Sequence, residues 1–155
     1  MMFIDIIVTF LLSISPLGEA RVGIPYGIIN DIHPFVAFFV GTAANLLVFP
    51  ILYMLIEVFN KKLWNFHFYR KYVIKLARRS KKLMGDNLQK YGVWGLMVFV
   101  MIPLPGTGAY MGTIAASLFN IRKREAFIAV SVGTIISSII IATGTHFSLM
   151  GIKMF

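Results

Sequence analysis

The chain has 155 residues, of which 58% are hydrophobic and only 14% charged, with a formal net charge of +9. Soluble domains are roughly 45–50% apolar and about a quarter charged, and a domain this short has too little interior to hide the excess, so lipid is the expected solvent. A pI near 10.1 invites a nucleic-acid reading, but the mean hydropathy of +0.81 argues against it.

So does the placement of charge. Ten of the fifteen Lys/Arg lie between Lys61 and Lys90, three more are Arg122, Lys123 and Arg124, and the last two are Arg21 and Lys153. Blocks of cations flanking apolar spans mark the cytoplasmic side of a membrane protein. The absence of cysteine excludes disulfides and thiolate metal sites. No Lys or Arg precedes Arg21, so no cleaved secretory signal is expected.

The first apolar stretch, 3–14, is half the length of a crossing and ends in the break Ser15–Pro25, which reads SPLGEARVGIP. The second, 34–56, has 23 residues and reaches the roughly 20 that a helix needs to cross the hydrocarbon core, with a kink expected at Pro50. From 60 to 90, apolar residues recur at helical spacing (Tyr69, Tyr72/Val73, Leu76, Leu83/Met84, Leu88) among cations. This predicts an amphipathic helix on the anionic inner leaflet, anchored by Trp64 and Phe66. The stretch 92–102 would rise only about 16 Å. A second break follows, Ile102–Gly112, reading IPLPGTGAYMG, then a half-length stretch over 109–119 and a full span over 126–150. Pro removes a backbone donor and Gly tolerates non-helical backbone, so both breaks read as deliberate helix interruptions, with non-helical, extended backbone expected around Glu19–Arg21.

The two halves share short words. Pro16-Leu17 and Pro103-Leu104 open the breaks, and Val40-Gly41-Thr42 and Val132-Gly133-Thr134 lie in the full spans. Carriers are often built from two such repeats. If each broken segment crossed the membrane, the 61–90 and 122–124 cations would fall on opposite faces. If each dips in and returns, all thirteen share one face, as the charge rule requires. The expected fold is therefore an all-α integral membrane protein of two inverted repeats. Each repeat is a re-entrant helical hairpin followed by a transmembrane helix, and a basic amphipathic cytoplasmic helix joins them. Residues 1–58 form the first repeat, 59–90 the linker and 91–155 the second repeat of one membrane domain. Re-entrant backbone must be shielded by protein or water, so the two loops are expected to face each other.

Glu19 and Arg21 are charges inside an apolar stretch, and charge at membrane depth costs about 2.5–3.5 kcal/mol. Arg21 offers a fork suited to phosphate or carboxylate. Glu19 is a candidate proton-coupling acid, since taking up a proton removes the cost of burying its charge. The alternative is a structural pair that closes the loop. Gly106-Thr107-Gly108, after Pro105 and before a half-helix, would expose N–H groups as an anion cradle, or else serve close helix packing. Asn45 lies mid-span and bonds either a cavity ligand or a neighbouring helix. Pro25, Pro103 and Tyr110 complete the candidate substrate- or ion-binding residues. His33, His67 and His146 show no metal-ligand spacing, so no metal is expected; no cofactor is expected either, there is no GxxxxGK[ST] phosphate loop, and no acid, base and nucleophile set for an enzyme.

The words Pro16 to Gly27 and Pro103 to Gly112, with Ala115 to Leu118 after the second, resemble the family named for small multidrug export. That family is similar to the DedA/VTT group, whose members pair re-entrant loops. The resemblance implies movement of lipid head groups such as polyprenyl phosphates, with proton coupling through loop acids. The chain departs from that group in being shorter, in having one loop acid, and in lacking an arginine inside the second loop. The resulting expectation is a secondary transporter in the plasma membrane, multi-pass and homo-oligomeric, for an anionic or amphipathic substrate such as a lipid phosphate or organic anion. The alternatives are an exporter of hydrophobic cationic drugs and a non-transport membrane scaffold or assembly factor.

Overall fold

In the computed structural model, residues 2–63, 75, 92–104, 107–119 and 121–153 are described. Among them the chain is all-helical: α1 (Met2–Ile14), α2 (Glu19–Ile29), α3 (Pro34–Leu63), α4 (Val93–Met101), α5 (Ala109–Leu118) and α6 (Lys123–Lys153). Two helices are long and apolar enough to cross a membrane, over Pro34–Val58 (25 residues) and Lys123–Gly151 (29 residues). Of the predicted basic amphipathic helix over 60–90, residues 60–63 form the end of α3, and the rest, apart from Lys75, lies outside the described residues.

The structure corrects one expectation. The backbone from Glu19 to Pro25 is not extended; it is the first part of α2, and the break shrinks to the turn Ser15–Gly18. Pro25 is the seventh residue of α2 and withholds the bond that would run back to the Arg21 carbonyl. The helix nevertheless continues to Ile29. Packing outweighs propensity here, because α2 lies along α1 as an antiparallel hairpin. Gly23 sits against Ser13 and Thr9, and Gly27 against Thr9. At 13 and 11 residues, these arms are about 20 and 16 Å long, against a hydrocarbon core of about 30 Å.

The hairpin ends cleanly. Asp31 takes a left-handed conformation (φ 61°), and the Ile32 N–H donates to the Gly27 carbonyl at 3.0 Å, the closing bond of a Schellman motif. Pro34, whose missing donor costs nothing at a first helical position, then opens α3, where the Val36 and Ala37 N–H groups both donate to His33 O.

The chain divides into two compact units. Unit 1 comprises Met1–Val48 and Thr134–Phe155, and unit 2 comprises Phe49–Gly133. Each holds one hairpin with part of α3 and part of α6. Unit 1 has a core of Ala20, Ile24, Ile28, Ile32, Ala37 and Ala142, with Ile6, Phe38, Ile141 and Leu149 packed on it. In unit 2, α4 and α5 form the hairpin, and Phe49 meets Phe127 edge to face at 5.5 Å. Lys123 Nζ lies 3.8 Å from Glu57 and 4.9 Å from the centre of the Tyr53 ring. The pairs 49–127 and 57–123 run in opposite senses, so α3 and α6 are antiparallel there.

Burial is distributed as it is in lipid. The exposed residues of α1 are Met2, Phe3, Ile4, Ile7 and Leu11, while its buried ones are Thr9 and Ser13. In α6 the large residues Phe127, Ile128, Ile139, Ile140 and Phe147 face outward, and Ala126, Ala129, Thr134, Ser137 and Ser138 face inward. Small residues inside let helix backbones approach when no hydrophobic effect drives them together.

The repeated Val-Gly-Thr word has the same role in each unit. A Cβ at Gly41 would lie 2.6 Å from Ile24 Cγ1 and 3.0 Å from Ser13 Oγ; one at Gly133 would lie 2.8 Å from both the Met97 carbonyl and Val100 Cβ. Both glycines admit a hairpin arm against a long helix. Gly133→Val should therefore lower stability by about 1–3 kcal/mol through overpacking. At Gly144 an added Cβ would meet nothing within 4 Å, so that position should accept Ala with a gain of about 0.4–1 kcal/mol. Thermal melts of the two purified variants in detergent check both signs.

Candidate functional site

The tip of the first hairpin is built from its turn outward. The Gly18 and Glu19 N–H groups both donate to the Ser15 carbonyl, at 3.2 and 3.0 Å. A side chain at position 18 would press to 2.7 Å from the Leu12 carbonyl, so the turn closes only around glycine. Glu19 follows at φ 52°, a left-handed conformation that costs a non-glycine residue about 1–3 kcal/mol. It opens α2, where a carboxylate suits the positive end of the helix dipole.

Glu19 is buried, at 6% exposure, although it is an acid. Its Oε2 lies 3.9 Å from Arg21 Nε, and the Arg21 side chain is 18% exposed. The Glu19–Arg21 pair that the sequence offered as its alternative reading is therefore formed. They converge from the first turn of a helix rather than along a strand. At 3.9 Å the pair is an electrostatic contact beyond direct hydrogen-bond length, loose enough for a third polar group to share it.

Pro25 lies half-buried on the same helix. Asn45 is buried at 5% on α3, also in unit 1. Its Oδ1 has no hydrogen-bond partner among the described residues.

The second break belongs to unit 2. Ile102, Pro103 and Leu104 are exposed, and Pro105 and Gly106 lie outside the described residues. The Thr107 hydroxyl sits 2.7 Å from the Ile102 carbonyl and 2.8 Å from that of Leu104, and the Thr107 N–H donates to Leu104 O at 3.2 Å. In this conformation both donors of Thr107 close the loop on itself, where the sequence pointed to a donor for an anion. Gly108 takes φ 107°, ψ −167°, a backbone conformation open to glycine alone, and from it α5 starts. Tyr110, in the first turn of α5, is half-buried. At the far end of α5 the Ile121 N–H donates to Ala116 O at 3.0 Å, the same five-residue closure that ends α2.

Sequence reasoning missed the buried hydroxyls. Besides Asn45 Oδ1, the oxygens of Ser13, Thr42, Ser131, Thr134 and Ser138 are buried with no hydrogen-bond partner among the described residues. The signal was available in the spacing of Thr9 and Ser13, four apart in an apolar helix, and of Gly23 and Gly27, four apart in the helix they face. Among the described residues, no group of three or more His, Cys, Asp or Glu is placed to hold a metal ion.

The chain matches the model of the family described as "Putative small multi-drug export protein" over residues 19–140. No curated protein and no solved structure matches it. The match begins at Glu19, immediately after the turn of the first hairpin, takes in the second break and covers well over half of the sequence. With its two apolar spans, the chain is a membrane protein that belongs to the small multi-drug export family.

Proposed function

We propose that the chain is a multi-pass carrier of the plasma membrane whose substrate centre is the Glu19–Arg21 pair. The observation that carries this reading is a buried acid held in a strained conformation beside a partly exposed guanidinium, at the tip of a hairpin whose arms are too short to cross the bilayer. Strain of this kind persists at functional sites because the surroundings hold it there, and intramembrane charge marks substrate and ion paths.

Arg21 takes the anionic group of the substrate, a phosphate or carboxylate, in its planar fork. Glu19 exchanges a proton as the substrate comes and goes. Pro25 and Asn45 shape the same unit. In unit 2, the start of α5 after Gly108, with Tyr110 in its first turn, serves as a second anion-holding element, and Thr107 closes the loop behind it. Both hairpins are re-entrant and enter from opposite faces, as an inverted repeat. The matching closures of α2 and α5, and the matching glycines 41 and 133, support that arrangement. The basic stretch 60–90 rests on anionic inner-leaflet lipid, and the outward apolar faces suit a homo-oligomer. Catalysis has no part in this reading. A lipid phosphate as substrate rests on the likeness to the DedA/VTT group.

A second reading has two observations in its favour: Glu19 is more deeply buried than Arg21, and the family's name is one of drug export. In that reading Glu19 is the counter-charge for a hydrophobic cation.

The test is flux into proteoliposomes with lipid phosphates, organic anions and cationic dyes, with and without a pH gradient. Arg21→Ala should reduce anion flux at least tenfold. Arg21→Lys, which keeps the charge and loses the fork, should restore only part of it. Unchanged flux in Arg21→Ala would remove the anion site. Glu19→Gln should retain binding while making flux indifferent to the pH gradient. Flux of dyes alone, abolished in Glu19→Gln and insensitive to Arg21→Ala, would select the second reading.

A further inference from the structure

Three of the described threonines show what a hydroxyl in an apolar helix ordinarily does. Thr9 bonds back to the Asp5 carbonyl at 2.7 Å, Thr113 to Ala109 at 2.6 Å and Thr143 to Ile139 at 2.7 Å. Each uses the acceptor four residues earlier, which is available to any helical Ser or Thr. Ser13, Thr42, Thr134 and Ser138 have the same choice and do not take it. All four are buried, at 0%, 6%, 1% and 0% exposure, and their oxygens have no hydrogen-bond partner among the described residues.

These four residues and Asn45 all belong to unit 1. Thr42 and Asn45 are three apart on α3, and Thr134 and Ser138 four apart on α6, so each pair shares a helix face. In this unit α3 and α6 share the core cluster of Ala37 and Ala142. Antiparallel pairing on from that point sets Thr42 level with Ser138, and Asn45 level with Thr134. Ser13 joins from α1, because its Oγ would stand 3.0 Å from a Cβ at Gly41, next to Thr42. The glycine brings that hydroxyl up to α3.

A buried polar atom left alone costs as much as a lost hydrogen bond. Five together would consume the margin by which a domain is stable, so the set calls for a partner that the helices themselves do not supply. All five unpartnered atoms are oxygens, and four are hydroxyls with lone pairs to offer. Oxygen-only sets suit hard cations. The five groups are neutral, and divalent cations are held by carboxylates; burying a charge becomes far more costly as that charge grows, which leaves a single positive charge.

We propose that unit 1 binds an alkali cation of sodium size in the oxygen seam of Ser13, Thr42, Asn45, Thr134 and Ser138. This rests on the membrane-carrier reading but not on the substrate assigned to Arg21, and the site is separate from the proton exchanged at Glu19.

The test uses the full chain in detergent, melted in increasing NaCl with choline chloride holding the ionic strength constant. Sodium should raise the melting temperature by several degrees and saturate. Thr42→Val and Asn45→Leu should each weaken the midpoint at least tenfold, while Gly144→Ala, where an added Cβ meets nothing within 4 Å, keeps it. Equal melting in sodium and choline, or a full sodium response in the Thr42→Val/Asn45→Leu double variant, would overturn the site. Should those variants not fold, radioactive sodium on the unaltered chain decides the matter. Saturable binding displaced by unlabelled sodium and not by choline supports the site; its absence refutes it. Apolar variants that melt higher, with no sodium response in the parent, would mean a water-filled seam and would also refute it.

Discussion

Hydrocarbon as solvent is the constraint from which the rest of the molecule follows. It removes the hydrophobic drive for helices to associate, so association falls to close backbone approach and to polar contacts. The chain places most of its phenylalanine, isoleucine and leucine outward and packs alanine, glycine, serine and threonine inside, around a few large residues such as Ile24, Phe49 and Leu96. Gly23 and Gly41 bring α1, α2 and α3 within reach of one another in unit 1, and Gly112 and Gly133 do the same for α4, α5 and α6 in unit 2. Larger residues at these positions would push the short arms away from the long helices. The buried polar groups would then lose their surroundings.

Within that frame the first hairpin solves a local problem. A charge cannot be buried cheaply, yet Glu19 is more than nine-tenths buried. Two features offset the cost: the positive end of the α2 dipole and the neighbouring guanidinium of Arg21. The backbone at Glu19 remains in a conformation natural to glycine. A residue chosen only to close a turn would be glycine there, as it is at Gly18 one position earlier, so the side chain is what the position retains.

The two long helices, the half-length stretches and the position of the second break were all legible in the sequence, because each depends on counting apolar residues against the thickness of a bilayer. The extent of α2 was not. Proline and glycine at positions 23, 25 and 27 signal a broken backbone when read locally, and only the packing of those glycines on Thr9 and Ser13 shows why a helix forms there. The contact of Glu19 with Arg21 matches the structural pair that stood as the alternative reading, reached on a helical backbone instead of an extended one, since residues near a helix start can converge as readily as alternate residues of a strand. Thr107 was legible as a polar residue in a loop. That its hydroxyl turns back on Ile102 and Leu104 depends on the path of the loop, which composition does not encode. The buried hydroxyl seam escaped because single serines and threonines in apolar helices usually satisfy themselves on the preceding turn.

Hairpins that dip and return from opposite faces leave a definite pattern at the membrane surface, and a chain without cysteine is well suited to reading it. Single cysteines at Phe3, Asp31 and Arg122, labelled in intact cells by a membrane-impermeant maleimide, give the topology directly. Positions 3 and 31 should label together from one face, and position 122 only from the other. Labelling of 3 and 31 from opposite faces, or of 31 and 122 from the same face, would contradict the inverted re-entrant arrangement on which the carrier reading rests.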